Sequence, residues 1–315
     1  MMFSTRSFTF LFLGTLYHLT AHTQPMWPLI GPDFPPPQNL SSSKTFQSAV
    51  SNLTQLLQQA ISVENTSYGP FDSANSSYSI EIFSACESAP LFTTHFTSPA
   101  VAKYRDGVKN VDSNTVFRIG SLTKLITVYT FLIETGDARF NDPVANYVPE
   151  LQQAAQSLNS TDSLDNVAWD EITIGELASH MADIGRDWEG LGTIGGILFP
   201  VNNPSALGLP PLNASEEAVC TGAPRCTRAQ FFEGFTKRHP VYASSTAPIY
   251  SNAAFQILGY ALENITGVKL TTSVNNGLVA LLKLTASSWT VPTSNFSGII
   301  PDGSSWGFDA GDETP

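Results

Sequence analysis

Phe117-Arg-Ile-Gly-Ser-Leu-Thr-Lys124 runs into the apolar stretch Leu125-Ile-Thr-Val-Tyr-Thr-Phe-Leu-Ile133 and stops at Glu134-Thr-Gly136. The apolar density, with glycine just past the end, predicts a helix opened by Gly120 and running to Ile133. On that helix Ser121 and Lys124 are three positions apart, so hydroxyl and amine share a face. A serine in the first turn also lies beside unpaired backbone N–H groups and the positive end of the helix dipole, which favour a developing oxyanion. A lysine acts as a base only when neutral. Lys124 is the one charged residue between Ile119 and Ile133, and burial there is expected to favour the neutral form. A second Ser-x-x-Lys, Ser41 to Lys44, falls in polar, proline-flanked sequence where no buried helix is expected.

Tyr250-Ser-Asn252 is the only Tyr-x-Asn in the chain and lies in a predicted turn ahead of an apolar helix from Ala253 to about Ile265, closed by Thr266-Gly267. A tyrosine near a lysine can relay a proton to a leaving group, and an asparagine amide can hold a substrate carbonyl. The structural reading of the same residues is a packing tyrosine followed by an asparagine cap.

The remaining sequence limits the function classes. The 315 residues are 42% hydrophobic and 13% charged, proportions of a globular chain with a sizeable core. Lys and Arg total 15 against 27 Asp and Glu, a net charge of −12, and no basic face is predicted, which argues against nucleic acid and against anionic lipid surfaces. Residues 1–23 read as a signal peptide, with one Arg ahead of the short apolar run Ser7 to Leu16, and nothing later reaches membrane-spanning length. Eight Asn-x-Ser/Thr acceptors, at Asn39, Asn52, Asn65, Asn75, Asn159, Asn213, Asn264 and Asn295, point to a secreted glycoprotein. Of three cysteines, Cys220 and Cys226 are close enough to form a small disulfide, which leaves Cys86 unpaired.

A proline- and serine-rich lead-in covers 24–43. The domain then extends over 44–315, with a helix and strands over 44–120, a mainly helical region over 121–290 and a tail over 291–315. Apolar residues Phe46, Val50, Leu53, Leu56, Leu57 and Ile61 make a helical stripe. Tyr78 to Ala85 and Leu91 to Phe96 read as a strand hairpin. Thr173-Ile-Gly-Glu176 is a capping-box pattern that starts a helix to about Met181. Gly185 to Pro224 is rich in Gly, Pro and Asn and is expected to form long loops, and a weak apolar stretch spans Leu278 to Leu284.

With their flanks, the two motifs resemble the class C β-lactamase and penicillin-binding-protein-like serine hydrolases, the β-lactamase-related family. The match takes in Phe117 to Lys124, Glu134 to Gly136, Asn141-Asp-Pro143, Tyr147 to Glu150, Thr173 to His180, His239-Pro240, Tyr250 to Asn252 and Leu258 to Gly267, in the family's order. The resemblance implies an α+β, β-lactamase/transpeptidase-like fold, a helical region beside a mixed α/β layer with an antiparallel sheet, and an active site between them. It also implies Ser121 as acylated nucleophile, Lys124 as general base, Tyr250 as proton shuttle and Asn252 as substrate-amide contact. His180 reads as structural. The substrate would be a small-molecule or peptide-like amide, lactam or ester, with no cofactor. Oligomeric state is left open.

One family element is missing from the sequence. Members carry Lys or His, a small residue and Gly on a strand lining the cleft, and no such triplet follows Asn252. The expectation is therefore a chain incomplete at its C-terminus, impaired as a catalyst, with a noncatalytic secreted glycoprotein that keeps half of a hydrolase fold as the alternative. Three other chemistries have little support. Gly303-Ser-Ser305-Trp-Gly307 fits a nucleophile elbow by pattern, but no His follows it. The histidines form no spaced metal-ligand motif, and no glycine-rich phosphate loop is present.

Overall fold

The computed structural model describes residues 37–103, 107–117, 119–157, 165–187, 226–243 and 245–289. The signal region, most of the Gly185–Pro224 stretch, the Gly303–Gly307 pattern and the tail lie outside the described residues. Two compact units divide the chain, Met1–Gln59 with Ile80–Thr94 and Ala60–Ser79 with His95–Pro315.

The expected first helix is α1, Lys44–Val63. Its stripe residues Phe46, Val50, Leu53, Leu57 and Ile61 are half-buried, whereas Leu56 falls off the stripe and is 63% exposed. Two short paired strands follow, β1 (Asn65–Thr66) and β2 (Gly69–Pro70). The expected hairpin consists of β3 (Tyr78–Ile82) and β4 (Phe92–Phe96), which form one two-stranded sheet. Ile80 and Ile82 turn inward while Ser79 and Glu81 face solvent, the alternation read from the sequence. A short helix α2, Pro99–Lys103, closes this region.

The helical part contains α3 (Thr123–Thr135), α4 (Pro149–Ser157), α5 (Ile174–Ser179), α6 (Arg228–Phe235), α7 (Asn252–Thr266) and α8 (Leu270–Val274). These helices share one core, which includes Phe131, Val148, Leu151, Trp169, Ile174, Leu177, Phe235, Ile257, Leu258 and Leu262. Mutual burial of apolar faces is the main term that holds such helices together. Thr173 and Glu176 form the anticipated capping box, which fixes where α5 begins. Thr227 and Gln230 make a second one at α6, a helix not read from sequence although the Thr-x-x-Gln pattern was visible.

The apolar sequence of α3 gives it two apolar sides, and among the described residues only one is covered. Thr127, Thr130 and Phe131 are buried, and both threonine hydroxyls donate to carbonyls one turn back. Leu122, Leu125, Tyr129, Leu132 and Ile133 remain 38–66% exposed. Among the described residues no helix is long and apolar enough to cross a membrane.

Gly175 marks the tightest approach between α5 and the segment after α3. Its N–H donates to the Phe140 carbonyl at 2.8 Å, and an added Cβ would meet that same oxygen at 2.9 Å. Gly175→Ala is expected to destabilise the fold by about 1–3 kcal/mol, read as a lower urea midpoint. Gly277→Ala, whose Cβ would touch Ile133 at an ordinary 3.4 Å, should cost much less.

Candidate active site

Ser121 lies in the 3-10 turn Gly120–Leu122 that leads into α3, one turn ahead of Lys124. The i, i+3 spacing brings Lys124 Nζ to 3.3 Å from Ser121 Oγ. From far along the chain come Tyr250, whose phenol donates to Ser121 Oγ at 2.6 Å, and Asn252, the first residue of α7. All four residues predicted from the sequence are therefore brought together, and all four belong to the same compact unit.

Lys124 Nζ donates to three oxygens: Ser121 Oγ, Tyr250 Oη at 2.8 Å and Asn252 Oδ1 at 2.6 Å. Three acceptors match the three N–H donors of an ammonium group. This corrects the picture of a lysine enclosed by apolar neighbours. Lys124 is half-buried, Leu122 and Leu125 beside it are exposed, and the immediate surroundings of Nζ are oxygen atoms with the rings of Tyr250 and Phe255 at 4.7 and 5.6 Å.

The phenol of Tyr250 is 41% exposed as a residue and lies under two cations. Partial burial would raise its pKa, but hydrogen bonds with Lys124 and Ser121 and the charges of Lys124 and Arg186 outweigh that effect, so the phenol ionises below its usual range. The Arg186 guanidinium lies 5.3 Å from the ring centroid. A phenol of lowered pKa in contact with the Ser121 hydroxyl, with an ammonium beside it to stabilise the phenolate, can take the Ser121 proton once it has ionised.

The helix-cap reading of Asn252 belongs in the structure to its neighbour Ser251. Ser251 Oγ accepts the Ala254 N–H and donates to the Gly185 carbonyl, while the Arg186 carbonyl accepts the N–H groups of Asn252 and Ala253. These partners satisfy the open donors at the start of α7 and leave the Asn252 side chain free for the site. Its amide is oriented from both ends, since Oδ1 accepts from Lys124 and Nδ2 donates to Asp187 Oδ1 at 2.7 Å. Asp187 in turn pairs with Arg186 Nε at 3.1 Å.

Arg186 and Asp187 were missed by sequence reasoning. They sit in a stretch whose composition announced only loops, and no local pattern marks a residue that works by reaching another segment. Among the described residues, no group of three or more His, Cys, Asp or Glu side chains could hold a metal ion. Cys86 is a free thiol and Cys226 is disulfide-bonded; the suggested partner Cys220 lies outside the described residues.

Comparison with known proteins places this arrangement in context. The family model described as Beta-lactamase matches residues 93–299, a span that holds all four site residues. A beta-lactamase-like protein of Arthroderma benhamiae is 27% identical over 292 residues, which cover 89% of this chain and 45% of that protein. A probable hydrolase of a Phoma species is 24% identical over 67% of this chain and 35% of its own length. The chain thus spans less than half the length of these two relatives. Among solved structures, a class C beta-lactamase in complex with cefoxitin aligns over 78% of this chain and 53% of its own, with 17% identity and a TM-score of 0.48.

The Lys124–Tyr250 contact can be read directly by ultraviolet titration. One tyrosine should ionise below the usual value of about 10, and the transition should vanish in Tyr250→Phe. In Lys124→Gln it should move upward, because both the hydrogen bond and the charge that favour the phenolate are gone.

Proposed function

The chain belongs to the beta-lactamase family, and from that membership we propose that it is a secreted serine hydrolase that works through an acyl-enzyme on Ser121. The observation that carries the reading is the continuous contact from Ser121 Oγ to Tyr250 Oη, on to Lys124 Nζ and from there to Asn252.

Tyr250, as phenolate, takes the Ser121 proton across their 2.6 Å contact while Oγ attacks the carbonyl carbon of the substrate. The Lys124 ammonium stabilises the phenolate and is not the primary proton acceptor, a different division of labour from the one implied by family resemblance. Collapse of the tetrahedral adduct breaks the bond to the leaving group, which departs with the proton held by Tyr250. Water then attacks the ester, with Tyr250 accepting its proton and returning it to Ser121 Oγ as the acid leaves. Asn252, held by Lys124 and Asp187, offers its amide to the acyl side of a small-molecule or peptide-like substrate. Amide, lactam and carboxylic ester substrates all fit this sequence of steps.

Secretion is supported by the signal-peptide pattern over 1–23, the eight glycosylation acceptors and the disulfide at Cys226.

A fluorophosphonate probe tests the nucleophile. We expect one adduct per chain by intact mass, absent in Ser121→Ala, and labelling slowed by about 10²–10⁴ in Tyr250→Phe, the range of a lost proton-transfer group. An adduct that survives in Ser121→Ala sinks the reading. A well-folded chain that never labels would instead favour the noncatalytic alternative.

A further inference from the structure

We propose that His180 is a positioning residue, a neutral imidazole that clamps Tyr250 against Ser121 and whose protonation loosens the clamp. The inference rests on the serine reading above and concerns how its tyrosine is held.

The residues on both sides of Tyr250 are tied to His180. The N–H of Ile249 donates to the His180 carbonyl at 2.8 Å, and the N–H of Ser251 donates to His180 Nδ1 at 3.1 Å. Between these two bonds the Tyr250 ring stacks on the imidazole, with centroids 4.7 Å apart and planes at 28°. Phe255, from α7, meets the imidazole at 5.0 Å. The clamp depends on unusual backbone: His180 ends α5 in the left-handed region at φ 62°, ψ 25°, which turns its carbonyl and ring toward the same strand of chain. Histidine is one of the few residue types besides glycine that adopts this region with any frequency.

The tautomer follows from the contacts. A nitrogen that accepts the Ser251 N–H carries no proton, so the neutral ring bears its hydrogen on Nε2. An imidazolium has no acceptor left, and forming one breaks the Ser251 bond and adds a positive charge beside Lys124 on α3 and Arg186 over Tyr250. Glu176 is engaged with Thr173 and Ser245 and Asp187 with Asn252 and Arg186, while the buried Asp183 accepts the N–H of Thr246 through Oδ2 and has no partner on Oδ1 among the described residues. Burial first, and then the Lys124 charge, hold the imidazole below the ordinary histidine range. The clamp is therefore intact at neutral pH and is lost only as the pH falls through a value under 6.5.

Two readouts test this on the full chain. Long-range ¹H–¹⁵N spectra of the imidazoles, with His180 assigned by its loss in His180→Asn, should show an unprotonated Nδ1 and a titration below 6.5. The rate of fluorophosphonate labelling should fall along that same titration. In His180→Asn, which tolerates the backbone and keeps an acceptor but cannot titrate, the part of the acid limb that follows the imidazole should disappear, leaving only the fall that comes from protonation of the Tyr250 phenolate. In His180→Phe, which keeps a ring without an acceptor, labelling at neutral pH should slow by about ten- to hundredfold, the scale of a misplaced reacting group. A proton on Nδ1 at neutral pH, or an unchanged acid limb in His180→Asn, overturns the inference. If no variant and no wild-type chain labels Ser121, the serine reading falls, and the imidazole spectra still decide the clamp by the proton on Nδ1.

Discussion

One ammonium group organises the site. Lys124 Nζ holds Ser121 from its own helix turn and Tyr250 and Asn252 from 126 and 128 residues further on. Three charge-assisted hydrogen bonds at 2.6–3.3 Å leave the amine no direction to turn without losing a partner. Through that constraint the first turn of α3 and the start of α7 become a single functional surface. The sense of each remaining bond follows: the amide of Asn252 must present oxygen to Lys124, so its nitrogen must find an acceptor, and Asp187 is there.

Precision at the site comes from the solidity of what lies behind it. α7 buries Ala253, Ala254, Ile257, Leu258, Ala261 and Leu262, so the residue at its N-terminus moves only if the core does. The backbone carbonyls of Gly185 and Arg186 meet the open end of that helix, which ties the loop carrying Asp187 to the same support. The four-residue constellation is thus held by hydrogen bonds at its face and by apolar packing at its back, and the two kinds of force act on the same helix.

How much of this was readable from sequence depends on the range of the interaction. Ser121 and Lys124 were legible because helix geometry relates positions three apart, and the α5 start was legible because Thr173 and Glu176 satisfy each other locally. Tyr250 and Asn252 form the chain's single Tyr-x-Asn, a weak signal alone beside a strong apolar helix, and the family resemblance joined them to Ser121. The oxygen environment of Lys124 was not, since leucines adjacent in sequence point away from it on the helix surface. Arg186, Asp187 and the partnership of His180 with Tyr250 were also hidden. Each acts across a gap of more than sixty residues, through a loop whose course no local pattern specifies. The cap at Ser251 shows the same limit on a small scale, because two polar neighbours compete for one role and only the tertiary contacts decide.

The uncovered side of α3 has a bearing on how these molecules behave toward one another. Its leucines, with Tyr129 and Ile133, form a short-range sticky face, while the net charge of −12 sets up a repulsion that reaches about one Debye length. Added salt shortens its reach to about 3 Å at 1 M without weakening apolar attraction, so ionic strength sets the balance between the two forces.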